Sequence, residues 1–371
     1  MSFTCFAFFL FIGFIGPYMA QELSMRDAYP MGLLLALPSL SNIFASPMWG
    51  FVADNSNSWA KTLKISSWTM FLGLVLLNIL PANFLIVAML FHAVGRTPIS
   101  PLVDSLILQE LGSDRSQYGK KRMWGSVGFA IGALCGSIIQ SYTSYSLLTL
   151  SIVPALLYLF SIKNIQEPPP LNTPDFSNAI RVLFKDVTLF VILLAGILHF
   201  MPLIATDIFL ATHIKGLGLN PIWTGISISF GIVVEVWILR KGGDWMHRVF
   251  SPLKLFLFAV ITGLIHWTGM LYATDGFVIT ILQGFHGFEF GFFWLAIVDL
   301  ISKKTEHMPA TGQTILSAAL GGIGAGGGIY IASWIVDSYS TSHMFQWGIA
   351  LELTSLCILL IVILKEQNEN H

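Results

Sequence analysis

The sequence predicts an all-α membrane protein, with twelve transmembrane helices arranged as two six-helix bundles. Three observations predict it. Charged residues make up only 11% of the chain and hydrophobic ones 55%, whereas a soluble domain carries about 25% charged residues. Apolar stretches of about 20 residues, the length that crosses a bilayer, recur from end to end. Lys and Arg fall almost wholly in alternate loops. The net charge of −1 implies no nucleic-acid partner. Cys5, Cys135 and Cys357 are odd in number and lie in apolar stretches, so neither a disulfide framework nor a zinc site is expected.

The first stretch, 3–21, has no basic residues ahead of its apolar run, and similar stretches follow at once. It is therefore expected to be a retained span rather than a signal peptide. Next come 29–53, which contains Pro38 and Pro47, and 62–81. The stretch 84–110 holds Arg96, Pro98, Pro101 and Asp104; 122–141 opens on Arg122; and 145–162 completes the first block. Residues 164–186 are polar and include Glu167-Pro168-Pro169-Pro170 and Pro174, the composition of a linker. They separate an N-terminal bundle, 1–163, from a C-terminal bundle, 187–371. The second block runs 187–212 with His199 and Pro202, 220–240 with Glu235, 253–272 with His266, and 276–301 with His286 and Glu289. It ends with 310–336, which carries a glycine run, and 343–364.

One set of loops holds 16 of the 19 Lys and Arg, the alternate set only Arg26 and Lys215, and Arg96 lies inside a span. Positive charge marks the cytoplasmic side, so both termini are expected in the cytoplasm and the chain in the inner membrane. Two blocks of six spans around a central linker is the layout of transporters built from repeats, which hold cargo between the halves near the midplane. Gly321 to Gly328 contains a formal G-x-G-x-x-G, but no strand precedes it and no acidic residue follows at the required distance, so a dinucleotide site is not expected. Small residues at that density let membrane helices approach closely.

Ionisable groups inside such spans are expensive and mark function. His286 and Glu289, at i and i+3, share one helix face, and His286 lies about 16 Å into its span. Burial penalises an ionised carboxylate, so Glu289 can load a proton from one side and release it to the other; the alternative is a structural pair that fixes helix packing. Glu235 and His266 lie about 20 Å from their span ends and can approach the same level. A di-iron site needs two Glu-x-x-His motifs; here the order is reversed and single, so no metal is expected. Asp104 and Arg122 offer an acceptor and a fork of donors. They can grip a solute or lock two helices as a salt bridge. Arg96 is either a substrate contact or the counter-ion of Asp104, and His199, near mid-depth, has no assigned role.

Several segments carry a family likeness: Gly32-Leu33-Leu34-Leu35-Ala36 through Pro47-Met48-Trp49-Gly50-Phe51-Val52-Ala53-Asp54, Pro101-Leu102-Val103-Asp104, Tyr118 to Phe129, Leu282-Gln283-Gly284-Phe285-His286-Gly287, and Ala310-Thr311-Gly312-Gln313. With them the chain resembles major facilitator superfamily transporters of the lactose permease and phenylpropionate permease kind, over nearly its whole length. The resemblance implies that Asp104 and Arg122, 18 residues apart, occupy the positions of the sugar-binding acid and arginine, and Phe129 that of a ring-stacking tryptophan. Glu235 matches an acidic residue linking sugar and proton sites. His286 and Glu289 match a histidine and a proton-carrying glutamate, and Gly50 and Asp54 the cytoplasmic gate motif. Asp104 is one methylene shorter than the expected glutamate, and His266 stands where an arginine is expected.

These readings converge on a proton-coupled symporter that imports a small organic solute by alternating access, its cargo an aromatic carboxylate such as phenylpropionate or a sugar. Proton coupling falls to Glu289, His286, His266 and Glu235, and solute binding to Asp104, Arg122, Phe129, Arg96 and His199. The alternatives are nucleoside–proton symport and proton-driven export of amphipathic compounds. An enzyme is not expected, since neither H-E-x-x-H nor G-x-S-x-G occurs. The expected partners are protons, the solute and lipid, with a monomeric chain and no cofactor beyond the proton gradient.

Overall fold

The computed structural model describes residues 1–26, 31–56, 58–111, 118–167, 187–242, 250–304 and 316–369. Every regular element among them is helical. Ten helices are long and apolar enough to cross a membrane: α1 (Ser2–Ser24), α3 (Trp59–Ile79), α4 (Ala82–Ile107), α5 (Lys121–Tyr142), α7 (Val187–Gly216), α8 (Ile222–Arg240), α9 (Pro252–Tyr272), α10 (Gly276–Ile301), α11 (Ser317–Ser338) and α12 (Thr341–Lys365). The other two are α2 (Met31–Asn55) and the shorter α6 (Leu147–Ile162). All twelve lie where the apolar stretches put them. Most of the linker expected at 164–186 lies outside the described residues.

Helix ends follow local chemistry. Ser146 caps α6 by accepting from Thr149 N–H, and Ser251 caps α9 by accepting from Lys254 N–H, with Pro252 at the first helical position. Glu167 closes the start of α3 by accepting from the amides of Ala60 and Lys61 at 2.8 and 2.7 Å. The buried Glu22 accepts from Ser146 Oγ at 2.6 Å and Leu147 N–H at 2.8 Å, tying the end of α1 to the start of α6. Irregularities sit at the expected breakers: a 3₁₀ turn at Gly16–Tyr18 around Pro17, a break in α4 before Ile99 beside Pro98, and a π-helical start to α11 over Ser317–Gly324.

The chain divides into two compact units. The first is Met1–Thr173 with Asp207–Ser229, the second Pro174–Thr206 with Phe230–His371. In the first, α1 and α5 meet backbone to backbone: a Cβ on Gly128 or Gly132 would overlap the carbonyls of Phe6 or Leu10. Only a bare backbone permits that approach. The end of α7 and the start of α8 join this unit through Ser141 Oγ to Asn220 Oδ1 at 2.8 Å and Ser229 Oγ to Ala130 O at 3.1 Å. The second unit has its core at Phe256, Phe293, Ile297 and Leu359. Here the glycine run seats α11 on α7, with a Cβ on Gly328 falling 2.5 Å from Met201 O. Phe44, Trp68, Phe160 and Trp334 are exposed, which suits helices whose outer faces meet lipid.

Candidate functional site

In the second unit, four helices bring five ionisable side chains together. His199 comes from α7, His266 from α9, His286 and Glu289 from α10, and Glu352 from α12. All are buried, and Glu289, Glu352, His199 and His266 are each 0% exposed. Groups of this kind persist in an apolar interior only when they pair, and here they do. His266 Nδ1 and Glu289 Oε2 share a hydrogen bond at 3.1 Å, and His199 Nδ1 and Glu352 Oε2 share one at 2.9 Å. Trp267 Nε1–H reaches Glu289 Oε1 at 3.5 Å, the limit of a hydrogen bond. His286 Nδ1 stands 3.9 Å from Glu289 Oε2, too far for a direct bond. The His286 ring lies 5.3 Å from that of His266, and His199 packs against Phe256 and Phe293.

Glu289 belongs to two triads, His266–His286–Glu289 and His199–Glu289–Glu352. Within each, one nitrogen or oxygen of every member lies within 4.8 Å of the others. A divalent cation fits such dimensions, but the shortest separations, 2.9 and 3.1 Å, are those of direct nitrogen–oxygen hydrogen bonds. Gly263 of α9 lies beneath both carboxylates. A Cβ there would fall 3.0 Å from Glu289 Oε1 and 3.1 Å from Glu352 Oε1. Glu235 of α8 is half-buried; its amide would lie 3.0 Å from a Cβ on Gly287, so α8 runs beside α10 one residue past His286. Glu235 belongs to neither triad.

The first unit holds a separate polar group. Arg122 forms a salt bridge to Asp104, with Nε 3.1 Å from Oδ1 and side chains 29% and 27% exposed. The guanidinium lies over the Phe9 ring at 4.4 Å, a cation–π contact, and its Nη1 approaches Cys5 Sγ at 3.9 Å. Gly125 leaves the room for it, since a Cβ there would fall 2.5 Å from Arg122 Nη1. Phe129, two turns along α5, is half-buried, and its carbonyl packs on Gly13 of α1. Arg96 of α4 is half-buried, one turn from the buried His92, whose Nδ1 lies 3.2 Å from Met70 O. Gly50 lies near the end of α2, facing open space. The Asp54 side chain lies outside the described residues.

The structure thus joins Asp104 to Arg122 and gathers Glu289, His266 and His286. It pairs His199 with Glu352, a residue absent from the sequence-derived candidates. Glu352 stands about 16 Å along α12, a lone carboxylate in an oily helix. The mid-span criterion that singles out Glu289 applies to it equally.

Known proteins agree with this architecture. The MFS_1 like family profile matches residues 1–347. The maltose permease of Geobacillus stearothermophilus is 22% identical over 98% of this chain and 95% of its own length. The probable 3-phenylpropionic acid transporter of Escherichia coli (strain K12) is 29% identical over 61% of each chain. The crystal structure of the nucleoside transporter NupG superposes with a TM-score of 0.81 at 15% identity, covering 98% of this chain and 96% of that one, so the two share a fold. With the family profile matched across nearly its whole length, the chain belongs to the MFS_1 like family and is an integral membrane transporter of the major facilitator superfamily.

Proposed function

We propose that this chain is a proton-coupled symporter that imports a small organic solute across the inner membrane, its basic loops on the cytoplasmic side. The observation that carries this reading is Glu289, fully buried on α10 with His266 bonded to it at 3.1 Å and His286 one turn away. A carboxylate sealed in an apolar interior changes charge only by exchanging a proton, and histidine is the side chain whose ordinary titration range suits that exchange. Glu289 carries the proton in this scheme, with His266 and His286 as its immediate relays and Glu235, on the adjacent helix, connecting it to the solute.

Asp104 and Arg122 contact the solute. Both are about a quarter exposed, so water reaches them, and a solute hydroxyl or carboxylate can follow. Phe129 offers an aromatic face and Arg96 a second guanidinium. Two arginines with one aspartate suit an anion, which supports an aromatic carboxylate as cargo. The likeness to a probable 3-phenylpropionic acid transporter points the same way, and that to a maltose permease keeps a sugar in play. Gly50 and Asp54 act at the cytoplasmic gate. The energy source is the proton gradient, and the chain works as a monomer.

The test is Glu289→Gln in proteoliposomes, assayed with labelled 3-phenylpropionate and maltose. Gradient-driven accumulation should vanish while solute exchange persists. Unaltered accumulation would remove Glu289 from the proton path.

A further inference from the structure

We propose that Glu352 is a second proton-holding carboxylate, so that the transported proton passes between Glu289 and Glu352 instead of staying on Glu289 alone. This rests on the proton-coupling reading above and adds a residue and a helix to it. The observation is convergence. Two fully buried carboxylates, from α10 and α12, point at one spot that only a glycine leaves open: a Cβ on Gly263 would stand 3.0 Å from Glu289 Oε1 and 3.1 Å from Glu352 Oε1. Each carboxylate has its own histidine on its other oxygen, His266 at 3.1 Å and His199 at 2.9 Å. The arrangement is two histidine–carboxylate pairs set face to face.

Two negative charges within 4.8 Å in a dry interior repel strongly. The stable occupancy is one proton between the two carboxylates, as for other close carboxylate pairs. Transfer is balanced: the O–H bond at Glu289 breaks as one forms at Glu352, and the charge of the pair stays at −1. His199 and His266 stabilise whichever member is ionised. The titratable groups facing the two carboxylates are His199 from α7, grouped with both, and His266 from α9 and His286 from α10, grouped with Glu289. From α11, Asp337 instead receives Ser333 of its own helix at 3.5 Å. Neither His199 nor Glu352 is needed if Glu289 works alone, yet both are 0% exposed in the same cluster.

Infrared pH titration of the purified full chain, following the carboxylic-acid carbonyl stretch, tests this without any solute. The wild type should show two buried-carboxyl steps. Glu352→Gln should remove one and move the remaining Glu289 step by about 2.5 pH units, the effect of one charge at this distance with an effective dielectric constant near 20. Glu289→Gln should do the reverse. Gly263→Ala, which inserts a methyl between the carboxylates without deleting either, should move both steps, and it carries the test if Glu352→Gln does not fold. A Glu289 step in Glu352→Gln or Gly263→Ala that coincides with the wild type makes Glu352 a structural partner of His199 and overturns the inference, leaving Glu289 as carrier intact. A wild type with no buried-carboxyl step overturns both readings.

Discussion

Whether Asp104 and Arg122 grip a solute or merely lock α4 to α5 is decided by a double-mutant cycle with two readouts. Arg122→Lys keeps the charge but loses the planar fork and its stacking over Phe9 at 4.4 Å; Asp104→Asn keeps the shape and loses the charge. The pair is 3.1 Å apart, with its side chains 29% and 27% exposed. Solvent screening at that exposure limits such a pair to about 1 kcal/mol of stability or less. A hydrogen bond from a charged group to a bound solute contributes about 1.5–3 kcal/mol, and 2 kcal/mol is about a 30-fold change in affinity. A coupling of about 1 kcal/mol or less is therefore expected in detergent melting curves. Each single variant should lose roughly 10- to 100-fold in solute affinity. Binding is read by thermal shift with 3-phenylpropionate, maltose and nucleosides. Coupling of about 3 kcal/mol or more in stability, the range of a buried structural pair, with unaltered affinity would refute the binding role.

Other expectations follow from packing and caps. Gly132→Val should lower the melting temperature of the detergent-solubilised protein by several degrees and cut its yield, because a side chain there meets Leu10 O of α1; an unchanged melt would show that α1 and α5 are not in backbone contact. Glu22→Ala should cost about 1–3 kcal/mol, since it strands Ser146 O–H and Leu147 N–H, whereas Glu22→Gln should recover part of that. Glu110 lies in the last turn of the helix that ends at Leu111, past the span Ala82–Ile107, and the hydrogen bond from Lys121 at 2.9 Å holds its carboxyl below the usual carboxylate range. A depressed folded value means the pair's small stabilisation is present above the unfolded value, about pH 4.3, and disappears as pH falls through the folded one. Melting curves of wild type and Glu110→Gln should therefore differ slightly at neutral pH and merge in acid; a gap that persists there would contradict the pairing.

Much of the fold is legible in the sequence, because the bilayer sets one length scale and each apolar stretch meets it independently. α7 and α10 satisfy the 20-residue rule and fall where their composition puts them. α6 is less clear-cut, because its apolar part is short, Leu147–Ile162. Composition does not reveal which glycines do the packing: the run at 321–328 stands out, yet Gly128 and Gly132 form the tighter seam with α1. For the site, His286 and Glu289 share a face by helical spacing alone. Asp104 and Arg122 meet from neighbouring helices, which spacing permits but does not dictate. The His199–Glu352 bond joins residues 153 positions apart, and no periodicity encodes such a meeting. Glu352 carried its own signal, a single carboxylate midway along an oily helix; His199 stood out as a mid-depth histidine, but nothing in the sequence linked the two.

The most direct measurement is the external pH of a weakly buffered suspension of cells expressing the chain, recorded as 3-phenylpropionate or maltose is added. Transient alkalinisation should follow with the wild type as protons enter with solute, and none with Glu289→Gln. Accumulation of labelled solute with no change in external pH, surviving collapse of the proton gradient, would contradict proton coupling.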